Sequence, residues 1–201
     1  MLVPTMQEEE LVIALRRDLP EVLNFSDKKD TKFRRLVIKS NRFPVYASCE
    51  YTSKSKNKWI LFLEARNKKE YGDNSRLAWV CLAQTAIGYY VYMPHFVNKQ
   101  ILVNIYPPHF FSRFKLRMDL EETGVELVKR FFTYNYSYVY EDIQGRVAGS
   151  TKDGVVLGQR TVNNNFLFKT FITYDMLKGE QLEKYLENEK CRQEIHEQES
   201  K

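Results

Sequence analysis

The chain has 201 residues, of which 43% are hydrophobic and 14% aromatic, so it can bury the core of one large domain and is not a low-complexity protein. The formal charge of +5 and the pI near 9.0 suit an anionic partner such as nucleic acid, although many basic proteins bind none. No apolar run reaches the roughly 18 residues that a membrane-spanning helix needs. Because the start carries three glutamates where a signal peptide would be basic, we expect a cytoplasmic protein.

The first predicted element is a helix over residues 6–19, in which apolar residues recur at helical spacing. These residues are Leu11, Val12, Leu15 and Leu19. Glutamates occupy the first turn of this helix and two arginines its last turn, which complements the helix dipole. Pro20 is expected to close or kink the helix, and the polar residues 24–33 are predicted to form a connector.

Four or five strands are predicted between residues 45 and 106, from runs of aromatic and β-branched residues bounded by polar turns. They cover residues 45–52, 58–65, 76–83, 88–94 and 99–106. Because the breaks between them are short, an antiparallel meander is the expected arrangement. Residues 76–87 also fit a helical period, so a helix there is the alternative.

The apolar period becomes helical after Pro107 and Pro108, and two short helices are predicted over residues 109–118 and 124–134. An Asp-Gly pair at residues 153–154 then predicts a β-hairpin. These two helices and the hairpin follow the predicted strands directly along the chain, without a linker-like stretch between them.

The end of the chain is predicted to hold a last strand over residues 165–174 and a charged helix over residues 176–201. That final helix is expected to be solvated, or else to dock on a partner or shield a basic cleft. The whole pattern predicts a single α+β domain over residues 1–201. The domain comprises an N-terminal helix, an antiparallel sheet-rich body, two short central helices, a C-terminal hairpin and strand, and the charged helix.

A basic stripe lies on the helix predicted at residue 109, because His109, Arg113 and Arg117 are four residues apart and fall within about 80° of one another. The aromatic residues of the same segment gather on the neighbouring side and would anchor the helix to a core. His109 stands in the first turn, where the free N–H groups favour anions. The positive end of the helix should also make the imidazolium easier to deprotonate. The stripe could therefore hold a phosphate against a neutral histidine.

These groups would suffice for RNA cleavage without a metal ion. A base removes the proton of the 2′-OH, the 2′-oxygen attacks phosphorus, and cations stabilise the charge on the phosphorane. His109 could be this base or the acid that protonates the leaving oxygen, with Arg113 and Arg117 as the clamp and a partner from elsewhere in the fold. The alternative is an ordinary amphipathic surface helix with a structural histidine.

The segments "HFFSRFKLR", "GVELVKRFF" and "NFLFKTFITY" resemble the barnase–EndoU–colicin–RelE-like small ribonucleases of toxin systems, phages and mobile elements. Such proteins have H-x-x-x-R-x-x-x-R on a short helix, a second helix, and a small antiparallel sheet whose late strand carries Thr or Ser. The resemblance covers residues 101–175 and leaves the role of residues 1–100 open. It implies that His109, Arg113, Arg117 and Thr173 are catalytic, that RNA is the substrate, and that an inhibitor or antitoxin protein is a further partner.

Strand alternation would place Lys169, Phe171 and Thr173 on one face of the last strand, so that Lys169 and Thr173 could meet a phosphate together. Arg160, from the preceding strand, is a further candidate for binding nucleic acid. Residues 129–140 interleave basic and aromatic side chains, which favours base stacking with phosphate contacts or, alternatively, packing on the core. Lys129 and Arg130 are the binding candidates in that stretch.

No cofactor or metal ion is expected, because zinc-ligand spacing and glycine-rich phosphate loops are absent from the sequence. His95 follows a proline and precedes a phenylalanine as His109 does, so it is either a second acid–base group or a coincidence. The three cysteines lack C-x-x-C spacing and predict buried or free thiols. A ribonuclease is thus the leading hypothesis. The alternatives are a non-catalytic nucleic-acid-binding module and a structural or partner-binding accessory protein of a mobile element.

Overall fold

A computed structural model describes residues 1–70, 76–135, 138–141, 144–179, 183 and 187. It is an α+β protein, as predicted. Its helices are α1 (Glu8–Lys39), α2 (Pro108–Arg117) and α3 (Gly124–Tyr134). Its strands are β1 (Val45–Thr52), β2 (Lys58–Ala65), β3 (Arg76–Thr85), β4 (Gly88–Val97), β5 (Gln100–Tyr106), β6 (Tyr138–Glu141), β7 (Arg146–Ser150), β8 (Gly154–Arg160) and β9 (Phe166–Thr173).

The described strands form one nine-stranded sheet in the order β1-β2-β3-β4-β5-β9-β8-β7-β6. Strands β1 to β5 form the predicted antiparallel meander, and β6 to β9 form a second one. The two meanders meet where β5 pairs in parallel with β9 through Asn104↔Phe166 and Ile105↔Leu167. Helices α2 and α3 connect them, and this long connection allows the last strand, rather than β6, to lie beside β5.

Helices cover both faces of the first meander. Ile60 and Phe62 of β2 are buried in a core that also contains α2 and α3. Trp59, which precedes Ile60 in the strand, is buried against α1 on the opposite face, as the two-residue period of a strand requires. This alternation makes β2 apolar on both sides and places the sheet between two helical layers.

Helix α1 is much longer than the predicted one, because it continues through Pro20 to Lys39. The prediction that Pro20 closes the helix and that residues 24–33 form a connector is wrong. Val22, Phe33 and Val37 of the second half are buried, and their packing on β1 and β2 offsets the roughly 3 kcal/mol that an interior proline costs. The polar appearance of the segment reflects its exposed face.

The strand prediction over residues 76–83 is confirmed and the helical alternative is wrong, because neighbours Val80 and Cys81 are buried on opposite faces of β3. Two short helices and the Asp-Gly hairpin are also confirmed. Most of the predicted C-terminal helix lies outside the described residues. Glu183 and Glu187, which are described, are helical. Cys49 and Cys81 are free thiols, whereas Cys191 lies outside the described residues. None of the described helices is long and apolar enough to cross a membrane.

Candidate functional site

Helix α2 lies along the part of β9 that β5 leaves unpaired. Strand β5 ends at Tyr106, and its pairing with β9 ends at Leu167, so the following residues of β9 have an open edge on that side. Arg113 Nη1 donates a hydrogen bond of 3.0 Å to the Lys169 carbonyl. Arg117 Nη1 donates to the Phe171 carbonyl and, at 2.9 Å, to Thr170 Oγ1. The two guanidinium groups thus satisfy edge carbonyls two residues apart.

The local sequence explains how α2 reaches this position. Pro107 is the N-cap in an extended conformation and Pro108 begins the helix, where a missing N–H costs nothing. Phe110 and Phe114 are completely buried against the sheet. With that side fixed in the core, the stripe that begins at His109 faces β9, which is the stripe predicted from the four-residue spacing.

His109 is exposed in the first turn of α2. Partial desolvation lowers its pKa, and the nearby charge of Arg113 lowers the pKa further. A hydrogen bond with the Lys169 backbone acts in the opposite direction, whereas the charge of Lys169 again lowers the pKa. The net lowering favours the neutral imidazole at neutral pH, which is the form that accepts a proton.

A β-bulge in β9 determines which side chains stand near this histidine. Phe168 and Phe171 are both completely buried in the same core although they are three residues apart. Regular alternation forbids this, and the pairing with β8 shifts between Leu157 and Gly158 to insert one extra residue. The prediction that Lys169, Phe171 and Thr173 share a face is therefore wrong, because Phe171 belongs to the core while Lys169 is exposed.

Gly158 permits the close approach that the bulge requires. A Cβ atom at this position would lie 2.2 Å from the Leu167 carbonyl oxygen and 2.9 Å from the Cα atom of Phe168. No side chain fits there without displacing the backbone of β9. Gly158, the second glycine of "GVVLGQR", thus has a structural role, and it helps to set the position of Lys169 beside α2.

Together these residues form the α2–β9 cluster, which we define as His109, Arg113, Arg117, Lys169 and Thr170. Lys169 Nζ donates to Gln159 Oε1 at 2.5 Å. The ion pairs found in the described part of the chain are Arg66–Glu64, Lys129–Glu50, Lys129–Glu126 and Arg130–Asp153. None of these pairs includes a cation of the cluster, so its three positive charges are not neutralised by a carboxylate in direct contact.

Thr173 ends β9 opposite Gly154, and the hydroxyl that meets Arg117 belongs to Thr170 instead. Neither Thr170 nor Gln159 is among the site residues predicted from the sequence. One signal could have indicated both: a glycine inside a strand, such as Gly158, often marks a bulge.

The other candidates for binding nucleic acid lie apart from the cluster. Lys129 forms ion pairs with Glu50 at 2.7 Å and with Glu126 at 2.8 Å. Arg130 pairs with Asp153 at 3.2 Å and lies over the ring of Tyr134. These two side chains of α3 connect the helix to the sheet and to the β7–β8 turn, which is a structural use of their charge.

Arg160 and His95 belong to a second group, which stacks on Phe166. The Arg160 guanidinium lies 5.6 Å from the centre of the Phe166 ring, and the His95 ring stacks on Phe166 at 6.0 Å with an interplanar angle of 2°. Phe166 precedes Lys169 by three residues, which is about 10 Å along a strand. The group therefore lies apart from Lys169 along β9. Burial lowers the pKa of His95.

Among the residues that the structure describes, no three His, Cys, Asp or Glu side chains are grouped so that they could hold a metal ion. What the α2–β9 cluster offers is an imidazole beside fixed cationic hydrogen-bond donors, a combination that suits a phosphodiester.

The chain matches no family model, and it matches no curated protein and no solved structure at a significant level.

Proposed function

We propose that this protein is an endoribonuclease that cleaves RNA by metal-independent acid–base transesterification at the α2–β9 cluster. The observation that carries the proposal is an exposed imidazole of lowered pKa beside Arg113 and Lys169, in a cluster whose three cations form no ion pair with a carboxylate in the described residues. Backbone carbonyls of β9 hold two of these cations in place. A fixed, positively charged site beside a neutral base matches the charge that develops on a phosphorane.

The proposed reaction starts with His109 as the base that takes the proton of the 2′-OH. The 2′-oxygen then attacks the adjacent phosphorus, while Arg113, Arg117 and Lys169 stabilise the added negative charge. The Lys169 ammonium group donates a proton to the leaving 5′-oxygen, and the P–O5′ bond breaks. The products are a 2′,3′-cyclic phosphate and a 5′-hydroxyl end, and the proton on His109 returns to solvent as Lys169 is reprotonated.

Chain order gives the proposal a second support. Helices α2 and α3 are followed by the antiparallel meander β6 to β9, which is consistent with the order that the resemblance to small toxin-type ribonucleases implies. A cytoplasmic location and an inhibitor protein belong to the same proposal. Toxicity on expression in a bacterial host, relieved by Arg113→Ala, would support both the activity and the need for an inhibitor.

The second candidate function is binding of nucleic acid without cleavage. The observation in its favour is that Arg113 and Arg117 each donate to a β9 carbonyl, which is a stable arrangement for holding a phosphate whether or not a proton moves. If the protein neither cleaves nor binds nucleic acid, the remaining candidate is the structural or partner-binding accessory role.

The experiment that tests the proposal uses a 5′-labelled single-stranded RNA in the presence of EDTA. We expect cleavage products with 2′,3′-cyclic phosphate ends. His109→Ala should reduce the rate by about 10²- to 10⁴-fold, the usual contribution of a proton-transfer group, and should leave the fold intact because the residue is exposed. His95→Gln is the matched control and should retain activity, since its ring lies on Phe166 rather than in the cluster.

Two results would contradict the proposal. RNA retarded in a gel by the wild-type protein but never cut would favour the binding module. Cleavage that His109→Ala leaves unchanged would exclude His109 as the proton-transfer group. Circular dichroism of each variant confirms that a lost activity is not a lost fold.

A further inference from the structure

A row of exposed polar side chains continues from the α2–β9 cluster across the second meander. In the pairing of β7 with β8, Arg146 lies directly opposite Gln159. Gln159 Oε1 in turn accepts the hydrogen bond from Lys169 Nζ on β9. We call Arg146, Gln159 and Lys169 the polar row, and all three are exposed.

The polar row lies on the sheet face opposite α2 and α3. Val147, next to Arg146 in the chain, is buried in the core that contains α2 and α3, so Arg146 points to the other face. Lys169 lies at the β9 bulge, and its hydrogen bond to Gln159 places its side chain on the face of Gln159. Gln159 pairs with Leu167, which packs on the side of α1. Helix α1 packs on β1, β2 and β5, and the polar row begins beyond that cover.

The geometry points to this row as the binding track for single-stranded RNA. This inference rests on the proposed function, because it assigns the flanking contacts of the same substrate. With Lys169 at the reacting phosphate, Arg146 is two strands away, or about 10 Å at the usual strand spacing. Arg146 therefore binds a phosphate beyond the reacting one, and Gln159 holds Lys169 between them and offers an amide to the intervening nucleotide.

The substrate that fits this track is an RNA strand longer than a dinucleotide. A dinucleotide has one phosphodiester and fills the α2–β9 cluster alone, whereas a hexanucleotide also reaches Arg146. A single strand is favoured over a duplex, because attack by the 2′-oxygen in line with the leaving oxygen needs a backbone free to rotate.

The test compares cleavage of a dinucleotide and of a hexanucleotide by wild type, Arg146→Ala and the charge-matched control Arg35→Ala, whose residue is exposed on α1. For the hexanucleotide, Arg146→Ala should raise KM about tenfold with kcat unchanged, as expected for loss of a charged hydrogen bond made equally in ground and transition states. Cleavage of the dinucleotide should not change. Arg35→Ala should match wild type on both substrates.

Binding supplies a readout that does not need cleavage. A fluorescent 2′-O-methyl hexanucleotide lacks the attacking hydroxyl, and its anisotropy reports affinity alone. Arg146→Ala should weaken its binding about tenfold and reduce the salt slope by about 1. Arg146→Lys keeps the charge and should recover part of the loss.

The outcomes separate the inference from the proposed function. If wild type cleaves and Arg146→Ala behaves like Arg35→Ala, the track is wrong and the ribonuclease stands. An equal loss on the dinucleotide and the hexanucleotide also overturns the track, because Arg146 would then act at the reacting phosphate. If wild type binds the 2′-O-methyl strand through Arg146 but cuts no RNA, the track stands and the catalytic proposal fails. If it neither binds nor cuts, both are wrong.

Discussion

His109 owes its lowered pKa first to desolvation and then to the charge of Arg113, and a mutation can separate these causes. Arg113→Gln removes the cation and leaves the helix intact. The pKa of His109 should then rise towards its ordinary value near 6.5, because one repulsion against the imidazolium is gone. Titration of the His109 ring by NMR measures this shift.

The same change should affect the pH profile of cleavage. If His109 is the base, the acidic limb of kcat/KM reports its pKa in the free enzyme, so the limb should move to higher pH in Arg113→Gln. Arg35→Gln serves as the control for a general loss of charge. An unmoved ring titration would show that Arg113 does not act on His109, and the cluster would lose its electrostatic basis.

The residues of the cluster differ in how far the sequence predicts them. His109, Arg113 and Arg117 share a stripe because helical spacing is a local property, and the structure places that stripe against β9. Thr170 and Gln159 depend on a bulge, which arises from the pairing of two strands and from the space at Gly158. The resemblance to small ribonucleases implied Thr173 instead, and simple alternation along β9, which ignores the bulge, placed it on one face with Lys169.

At the level of elements, α2 replaces a neighbouring strand by covering the edge of β9 with arginine side chains. Arg117 is the half-buried one, and it donates to both Thr170 and Phe171. Arg117→Met keeps the length of the side chain and removes the donors. We expect a loss of about 1–3 kcal/mol in the free energy of unfolding, the cost of a carbonyl left without a partner.

Urea denaturation of Arg117→Met beside Arg113→Met measures this contribution. Arg113 is exposed, so water can replace its hydrogen bond to Lys169 and the loss should be smaller. Equal stabilities of the two variants would contradict the role of Arg117 as the principal edge cap. Light scattering provides a second measure, because an uncovered edge favours association between sheets.

The β9 bulge gives a prediction that depends on space rather than on hydrogen bonds. In Gly158→Ala the new Cβ would meet the Leu167 carbonyl oxygen at 2.2 Å, so β8 and β9 must separate. Gly124→Ala is the graded control, since its Cβ would have no atom nearer than 3.9 Å and only the backbone angle φ of +56° opposes it. That strain costs about 1–2 kcal/mol, and Gly158→Ala should cost more in chemical denaturation. A smaller loss at Gly158 would show that the bulge tolerates a side chain.

The element whose length is predicted least accurately from the sequence is α1. A proline and a run of polar residues are strong local signals for an end, yet Val22, Phe33 and Val37 are all buried against the sheet. Their contacts come from strands that follow later in the chain, so no local window contains the information. Tertiary packing decides the length of this helix.

At the level of the whole molecule, the α+β class and the first meander follow from the sequence, because meander contacts join neighbours along the chain. The insertion of β9 beside β5 does not follow, since it joins Asn104 to Phe166 across two helices and three strands. Charge also connects the halves: Lys129 of α3 meets Glu50 of β1 at 2.7 Å. The functional cluster thus belongs to a sheet that the first half of the chain helps to build.

A shared core predicts that the two meanders unfold together. Ile60 and Phe62 of the first meander are buried in the same cluster as Phe168 and Phe171 of the second. Both tryptophans of the chain, Trp59 and Trp79, lie in the first meander, so their fluorescence reports that half, whereas far-UV circular dichroism reports both. In Phe171→Leu, a completely buried side chain of the second meander becomes smaller, which should cost about 1–2 kcal/mol.

If the core is cooperative, Phe171→Leu should shift the urea midpoint measured by tryptophan fluorescence as much as the midpoint measured by circular dichroism. The reason is that fluorescence changes only when the first meander unfolds, and a separate domain would not respond to a cavity near β9. Phe25→Leu, on α1, is the reciprocal control and should move both signals by equal amounts. A fluorescence transition that ignores Phe171→Leu would instead mean that residues 108–173 form a unit with its own stability, and that the α2–β9 cluster could be studied without the first hundred residues.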